Sequence, residues 1–154
     1  MPIVSENEHD LLECPAQTIL CPVNTVGVMG SGLAYYFRML SEPFFLKYKE
    51  LCLTRKFTIR TLWLYKPKPE ENIPYWFLAF PTKQNWTMPS KVEWVEDNLK
   101  RLVEAIPKKG ITSLGVPYLG CGKGGLDYQK VVRPLLYKYL DPLDIPVHIC
   151  ERKF

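Results

Sequence analysis

"YLGCGKGGLDYQK", residues 118–130, carries glycines at 120, 122 and 125 in the spacing G-x-G-x-x-G. An apolar run, 111–116, precedes it, and helix-forming sequence follows. That is the local setting of a dinucleotide-binding turn, where glycine lets the backbone approach a pyrophosphate at a helix start. Its place in the chain argues against that reading. Such a fingerprint belongs in the first βαβ unit, with an acidic residue about 20 positions further on to hold ribose. Here it comes late, and only Asp141, Asp144 and Glu151 follow as acids beyond Asp127. No Gly-Lys-Ser/Thr is present either, so the Walker pattern fails.

The loop has a twin. "PVNTVGVMGSGLAYYFR", residues 22–38, places Gly27, Gly30 and Gly32 between another apolar run and another helix pattern. Glycine opens the backbone to a ligand, and a helix start supplies unpaired N–H donors with a positive dipole end. Two such loops at the carboxyl ends of strands in one α/β sheet would flank a single crevice. A diphosphate fits between them. Tight turning alone is the plainer account of one such loop and a poorer account of two.

Strand-like runs are 17–23, 58–65, 75–80, 111–116 and 145–150. Helical patterns lie between them at 33–40, from Pro43 to about Leu51, at 90–106 and at 127–140. In 90–106, Val92, Val95, Leu99, Leu102 and Ile106 share one face. Ser90 with Glu93 reads as a capping box, and Gly110 as the stop. Asp127 suits a cap for the last helix, which Pro134 should shorten or kink. Alternating strands and helices give an α/β layered fold, and the pair 58–65 and 75–80 reads as antiparallel, making the sheet mixed.

The composition, 47% hydrophobic and 23% charged over 154 residues, is that of one globular domain. No apolar run approaches the roughly 20 residues of a membrane span. The start, "MPIVSENEHD", is polar and acidic, unlike a signal peptide. Five cysteines without C-x-x-C, and two distant histidines, point to reduced thiols in a cytoplasmic setting rather than a metal site. A net charge of +4 favours an anionic ligand only weakly.

At the two glycine loops the sequence resembles macrodomains, the ADP-ribose-binding module, and "HDLLE" (9–13) is similar to the family's Gly-Asp-Leu start. The segment "AFPTKQNWTMPSKVEWVEDNL" (79–99) narrows the likeness to the DarG antitoxins, which are DNA ADP-ribosyl glycohydrolases, and to the related terminal ADP-ribose protein glycohydrolases. The resemblance implies a three-layer α/β/α sandwich with a mixed, mostly parallel central sheet, spanning 1–154 as one domain. It implies hydrolysis, without metal or cofactor, of ADP-ribose from a thymine base in single-stranded DNA. The counterpart activity would be an ADP-ribosyltransferase toxin. A monomer that does not touch membranes is expected.

The resemblance also assigns residues. Asp10 matches the adenine-binding acid and Leu11 a backbone contact beside it. Asn24 matches the asparagine near the distal ribose. Thr25, Val28, Met29, Gly30, Ser31 and Gly32 match the first loop. Leu119, Gly120, Cys121, Gly122, Lys123, Gly124, Gly125 and Leu126 match the second, around the diphosphate. Lys83 matches the catalytic lysine. His9 departs from the usual glycine, and Gly124 stands where protein-directed relatives keep an aspartate; Asp127 is then the nearest carboxylate that could assist.

The chemistry is sound on its own terms. A lysine amine can attack the anomeric carbon once its bond to the base weakens, provided burial frees the lone pair; a protonated lysine could instead bind ribose oxygens or help the base depart. Cys121 lacks a histidine nearby in sequence and reads as a small buried loop residue rather than a nucleophile. Trp86, in a polar loop close to Lys83, could stack on a DNA base or pack on its own loop. Two other readings remain: release of ADP-ribose from protein carboxylates or of phosphate from ADP-ribose-1″-phosphate, and a module that binds ADP-ribose without cleaving it.

Overall fold

A computed structural model describes residues 2–151. Its centre is a six-stranded sheet built from β1 (Ile3–Glu6), β2 (Thr18–Asn24), β3 (Trp63–Tyr65), β4 (Trp76–Lys83), β5 (Leu114–Val116) and β6 (Val147–Ile149). The strand order is β1-β6-β5-β2-β4-β3. Every pairing is parallel except β3 with β4. The helices are α1 (Gly32–Leu40), α2 (Glu42–Leu53), α3 (Val92–Lys109) and α4 (Arg133–Leu140).

The central strands are apolar at nearly every position because both of their faces are covered. Ile19, Cys21, Val23, Phe77 and Ala79 point to one side, where Phe37 of α1 and Phe44, Phe45 and Tyr48 of α2 close over them. Leu20, Leu78, Phe80, Leu114 and Val116 point to the other, against Val95, Leu99, Leu102 and Ile106 of α3 and Leu136 and Leu140 of α4. The result is the expected three-layer sandwich with a mixed, mostly parallel sheet.

Several local expectations shift. β1 was not foreseen, because a four-residue edge strand with an exposed Val4 carries too little pattern. Only 63–65 of the run 58–65 is a strand. Thr58 and Thr61 bond each other and the local backbone, which draws 58–61 into a turn. Pro134 lies in the first turn of α4, and the kink appears just before it as a π-helical turn, Tyr128–Val132, capped by Asp127 through the Lys130 N–H. The capping box is a misreading: α3 begins at Val92 with Lys91 as its cap and no side-chain cap bond. Ser90 is pulled away because its N–H donates to the Gly124 carbonyl at 3.0 Å. The helix stops where expected, at Gly110 with φ 71°.

Asn98 is the polar tie between α3 and the sheet. It is fully buried, and its amide nitrogen donates to the carbonyls of Ile59 (2.8 Å) and Pro81 (3.0 Å). Asn98→Ala leaves the buried Pro81 carbonyl and the part-buried Ile59 carbonyl without their donor, so urea denaturation should show a loss of about 2–3 kcal/mol. A loss below roughly 0.5 kcal/mol, the level of an ordinary surface change, would remove Asn98 from this role.

Candidate functional site

Three adjacent parallel strands deliver the site. β5, β2 and β4 lie side by side, so their carboxyl ends open on one edge of the sheet. There a cavity of about 1030 Å³ lies between the two glycine loops, at the large end for ligand pockets. Asn24, Val28, Gly30, Ser31 and Gly32 line one wall, and Gly120, Cys121, Gly122, Lys123 and Gly124 the other. Lys83 and Trp86 also line it.

Each element positions its side chains for a physical reason. Asn24 ends β2, and its side chain is committed inward. Its Oδ1 accepts from the N–H groups of Val26 (3.1 Å) and Val28 (3.3 Å) and from the Tyr48 hydroxyl (2.8 Å), and its Nδ2 donates to the Val28 carbonyl at 2.8 Å. Asn24 therefore shapes the first loop. That loop ends at α1, whose cap residue Ser31 makes no side-chain cap bond, and Gly32, Leu33 and Ala34 of its first turn line the cavity.

Opposite, Gly120 adopts φ 74° and its carbonyl accepts from the Leu126 N–H, closing the second loop on itself. A Cβ on Gly124 would meet the Gly120 carbonyl oxygen and the Ser90 hydroxyl, each at 2.4 Å. No side chain, aspartate included, fits there without moving the loop. Among the described residues, the N–H groups of Gly122, Lys123 and Gly124 have no acceptor within the protein.

Lys83 owes its place to a bulge. β2 and β4 pair in register from Thr18↔Trp76 to Val23↔Pro81, then skip Thr82 so that Asn24 faces Lys83. Pro81 has no N–H for the ladder, which suits a bulge at this point. The Lys83 ammonium lies 3.5 Å from the Trp86 carbonyl. Burial, and secondarily the positive charge of Lys123, hold its pKa below the ordinary lysine value.

Some assigned residues lie outside the cavity wall. Leu11, Met29 and Leu119 are core. Thr25 donates to the Gln84 carbonyl, joining the first loop to the segment after Lys83. Gly125 and Leu126 shape the second loop through backbone bonds. Asp10 precedes the turn Leu11–Glu13, close enough for its charge to act on Cys150, just beyond β6. Asp127 is exposed and engaged as a helix cap rather than standing beside Lys83. Cys121 is only half-buried and does line the cavity, a correction to its buried reading. Burial and the nearby Asp127 charge push its thiol up to about 12, so it stays protonated near neutrality. Trp86 is 58% exposed at the rim, which favours an open stacking surface over packing on its own loop.

Sequence reasoning missed Ser90, Tyr118 and Glu151 as wall residues. Tyr118 stacks on Tyr128 with centroids 3.5 Å apart, a contact between residues ten apart that no helix or strand periodicity encodes. Among the described residues, no three His, Cys, Asp or Glu side chains converge as a metal site, and no helix is long and apolar enough to cross a membrane.

The Macro domain family profile matches residues 21–135. The chain is a macrodomain. This macrodomain is 36% identical over 156 residues to a DNA ADP-ribosyl transferase-DNA ADP-ribosyl glycohydrolase fusion protein of Thermosipho africanus, covering 92% of this chain and 40% of that protein. The chain thus spans well under half of that curated relative. Among solved structures, the macrodomain of Thermus aquaticus DarG matches with a TM-score of 0.86 at 33% identity, covering 96% of this chain and 97% of the other. Thermosipho africanus DarTG, solved in complex with ADP-ribose, matches with a TM-score of 0.85 at 38% identity over 94% of this macrodomain and 40% of that chain.

Replacing Lys123 by Met should raise the Lys83 pKa by removing a like charge, yet leave it below about 10.4 because burial remains. Carbon NMR of the lysine ε-positions measures this directly. A Lys83 midpoint unmoved by the substitution would show that the two amines do not interact.

Proposed function

We propose that this macrodomain binds ADP-ribose in the cavity and releases it from a DNA base, thymine in single-stranded DNA. The observation that carries the reading is Lys83. It stands between two donor-rich loops, in a setting that disfavours its charged form. The names of the relatives, and the ADP-ribose bound by one of them, support the same substrate class. Gly124 supports the DNA-directed branch, because the loop has no room for the aspartate expected of protein-directed relatives.

In this reading the diphosphate lies between the start of α1 and the amides of the second loop, where N–H groups stabilise its charge. The free Lys83 amine attacks the anomeric carbon, the carbon–nitrogen bond to thymine breaks, and the departing base takes up a proton. Water then displaces the amine and leaves free ADP-ribose. Trp86, at the rim, stacks on a base of the strand. The activity that creates the substrate is an ADP-ribosyltransferase acting on DNA, and the setting is cytoplasmic.

Wild type should release ADP-ribose from an ADP-ribosylated thymidine oligonucleotide faster than from ADP-ribosylated glutamate, and Lys83→Ala should lose at least about a hundredfold. The rate should rise with pH as the free amine grows, with a midpoint below about 10.4. Binding of ADP-ribose without turnover of any substrate would leave a binding module, and an active Lys83→Ala would remove the lysine from the chemistry.

Gly30 offers a separate test of the pocket. A Cβ there meets nothing closer than 4.0 Å, and Gly30 lines the cavity, so a small side chain finds room on its wall. Gly30→Val should melt like wild type and bind ADP-ribose at least about tenfold more weakly. Equal affinity would place the ligand elsewhere.

A further inference from the structure

A second, shallower hollow of about 290 Å³ lies beside the cavity. The two share a divider. Asn24 and Lys83 line the cavity, and the residues after them, Thr25 and Gln84, line the hollow, joined by the 3.0 Å bond from the Thr25 hydroxyl to the Gln84 carbonyl. The rest of the hollow is the end of α2 and the turn after it, where buried Phe57 and half-buried Ile59 give an apolar floor and exposed Arg55 a charged rim. Residues 51–65 hold Arg55, Lys56 and Arg60 and no Asp or Glu. All three are exposed, and among the described residues none of them pairs with a carboxylate. Lys49 adds a further cation nearby, because a Cβ on Gly27 would meet both the Lys49 stem (3.4 Å) and Cys52 (3.5 Å), which lines the hollow.

Arg55 is also an unusual residue for its backbone. It follows Thr54, the cap residue of α2, and adopts φ 58°. That left-handed position after a helix ordinarily takes glycine or asparagine, because a larger side chain is strained there. An arginine held in such a turn, with no carboxylate beside it among the described residues, points to a task for its side chain outside the protein. The walls indicate the chemistry of that task. Unpaired cations around an apolar floor match a chain that alternates phosphates with the flat faces of sugars and bases. An acidic peptide brings the charge without the flat apolar body. We infer that the hollow holds a nucleotide next to the modified thymine in single-stranded DNA, with the Arg55 guanidinium on its phosphate. The strand crosses the Thr25–Gln84 divider as it leaves the cavity. This assignment rests on the DNA-directed reading of the site.

The test compares two substrates: ADP-ribosylated thymidine within an oligothymidylate, and ADP-ribosylated thymidine alone, which has no neighbouring phosphate. In Arg55→Gly, kcat/KM on the oligonucleotide should fall about fivefold. Its slope against log salt should become shallower by about 0.7, one phosphate contact on a single strand. On the nucleoside, kcat/KM should stay at the wild-type value. Thermal stability should not fall, because glycine suits the turn. Lys108→Gln removes a charge at the end of α3, near the start of β2 and so at the opposite edge of the sheet, and should leave both substrates unaffected. If glycine loosens the turn, Arg55→Asn repeats the test with a residue that tolerates the same conformation. Wild-type kinetics on the oligonucleotide in the folded Arg55 variants overturn the assignment. So do equal losses on both substrates, or an equal loss in Lys108→Gln. Stronger inhibition by a polyglutamate peptide than by unmodified oligothymidylate gives the surface to an acidic protein and overturns it too. Wild type that releases ADP-ribose from glutamate and from neither thymidine substrate overturns the DNA-directed reading itself, and the Arg55 contact with it.

Discussion

Parallel pairing of three neighbouring strands is the constraint on which the site depends. β5, β2 and β4 run the same way, so whatever follows each of them must emerge at one edge. The second glycine loop, the first glycine loop and Lys83 are those three continuations. A reversal of any one strand would send its loop to the far edge of the sheet and dissolve the cavity. The helices serve that arrangement by burying both faces of the strands.

The loops carry complementary parts. The first ends in a helix start without a side-chain cap bond, and the second carries amides at Gly122, Lys123 and Gly124, residues of the cavity wall. Among the described residues the N–H groups of Gly122, Lys123 and Gly124 have no acceptor, and backbone donors left open in this way suit an anion. Lys83 and Lys123 add positive charge on the cavity wall while opposing one another. A diphosphate near Lys123 would offset that repulsion, while burial would still favour the free amine of Lys83. In the proposed mechanism, binding would draw on charge and activation of Lys83 chiefly on desolvation.

What the sequence made legible was local. Two glycine loops after apolar runs, the α3 stripe and the Asp127 cap are all encoded within a few neighbouring residues, and the structure keeps them. What it hid was non-local. Ser90 and Glu93 satisfy the spacing of a capping box, yet the Gly124 carbonyl, far along the chain, captures the Ser90 N–H. Asn24 was legible as a site residue, but its commitment to Val26, Val28 and Tyr48 depends on how the loop folds back. The bulge that sets Lys83 opposite Asn24 required knowing which strand pairs with β4. Thr58 to Thr61 looked like strand because β-branched residues favour strands, and failed because their hydroxyls found closer partners.

The central claim is that one ligand bridges both loops. The most direct measurement is the change in backbone amide NMR shifts when ADP-ribose is titrated into the protein. The account predicts that amides at Gly30–Leu33 and at Gly122–Gly124 move together along one saturation curve. Shifts confined to a single loop, or to neither, would contradict it.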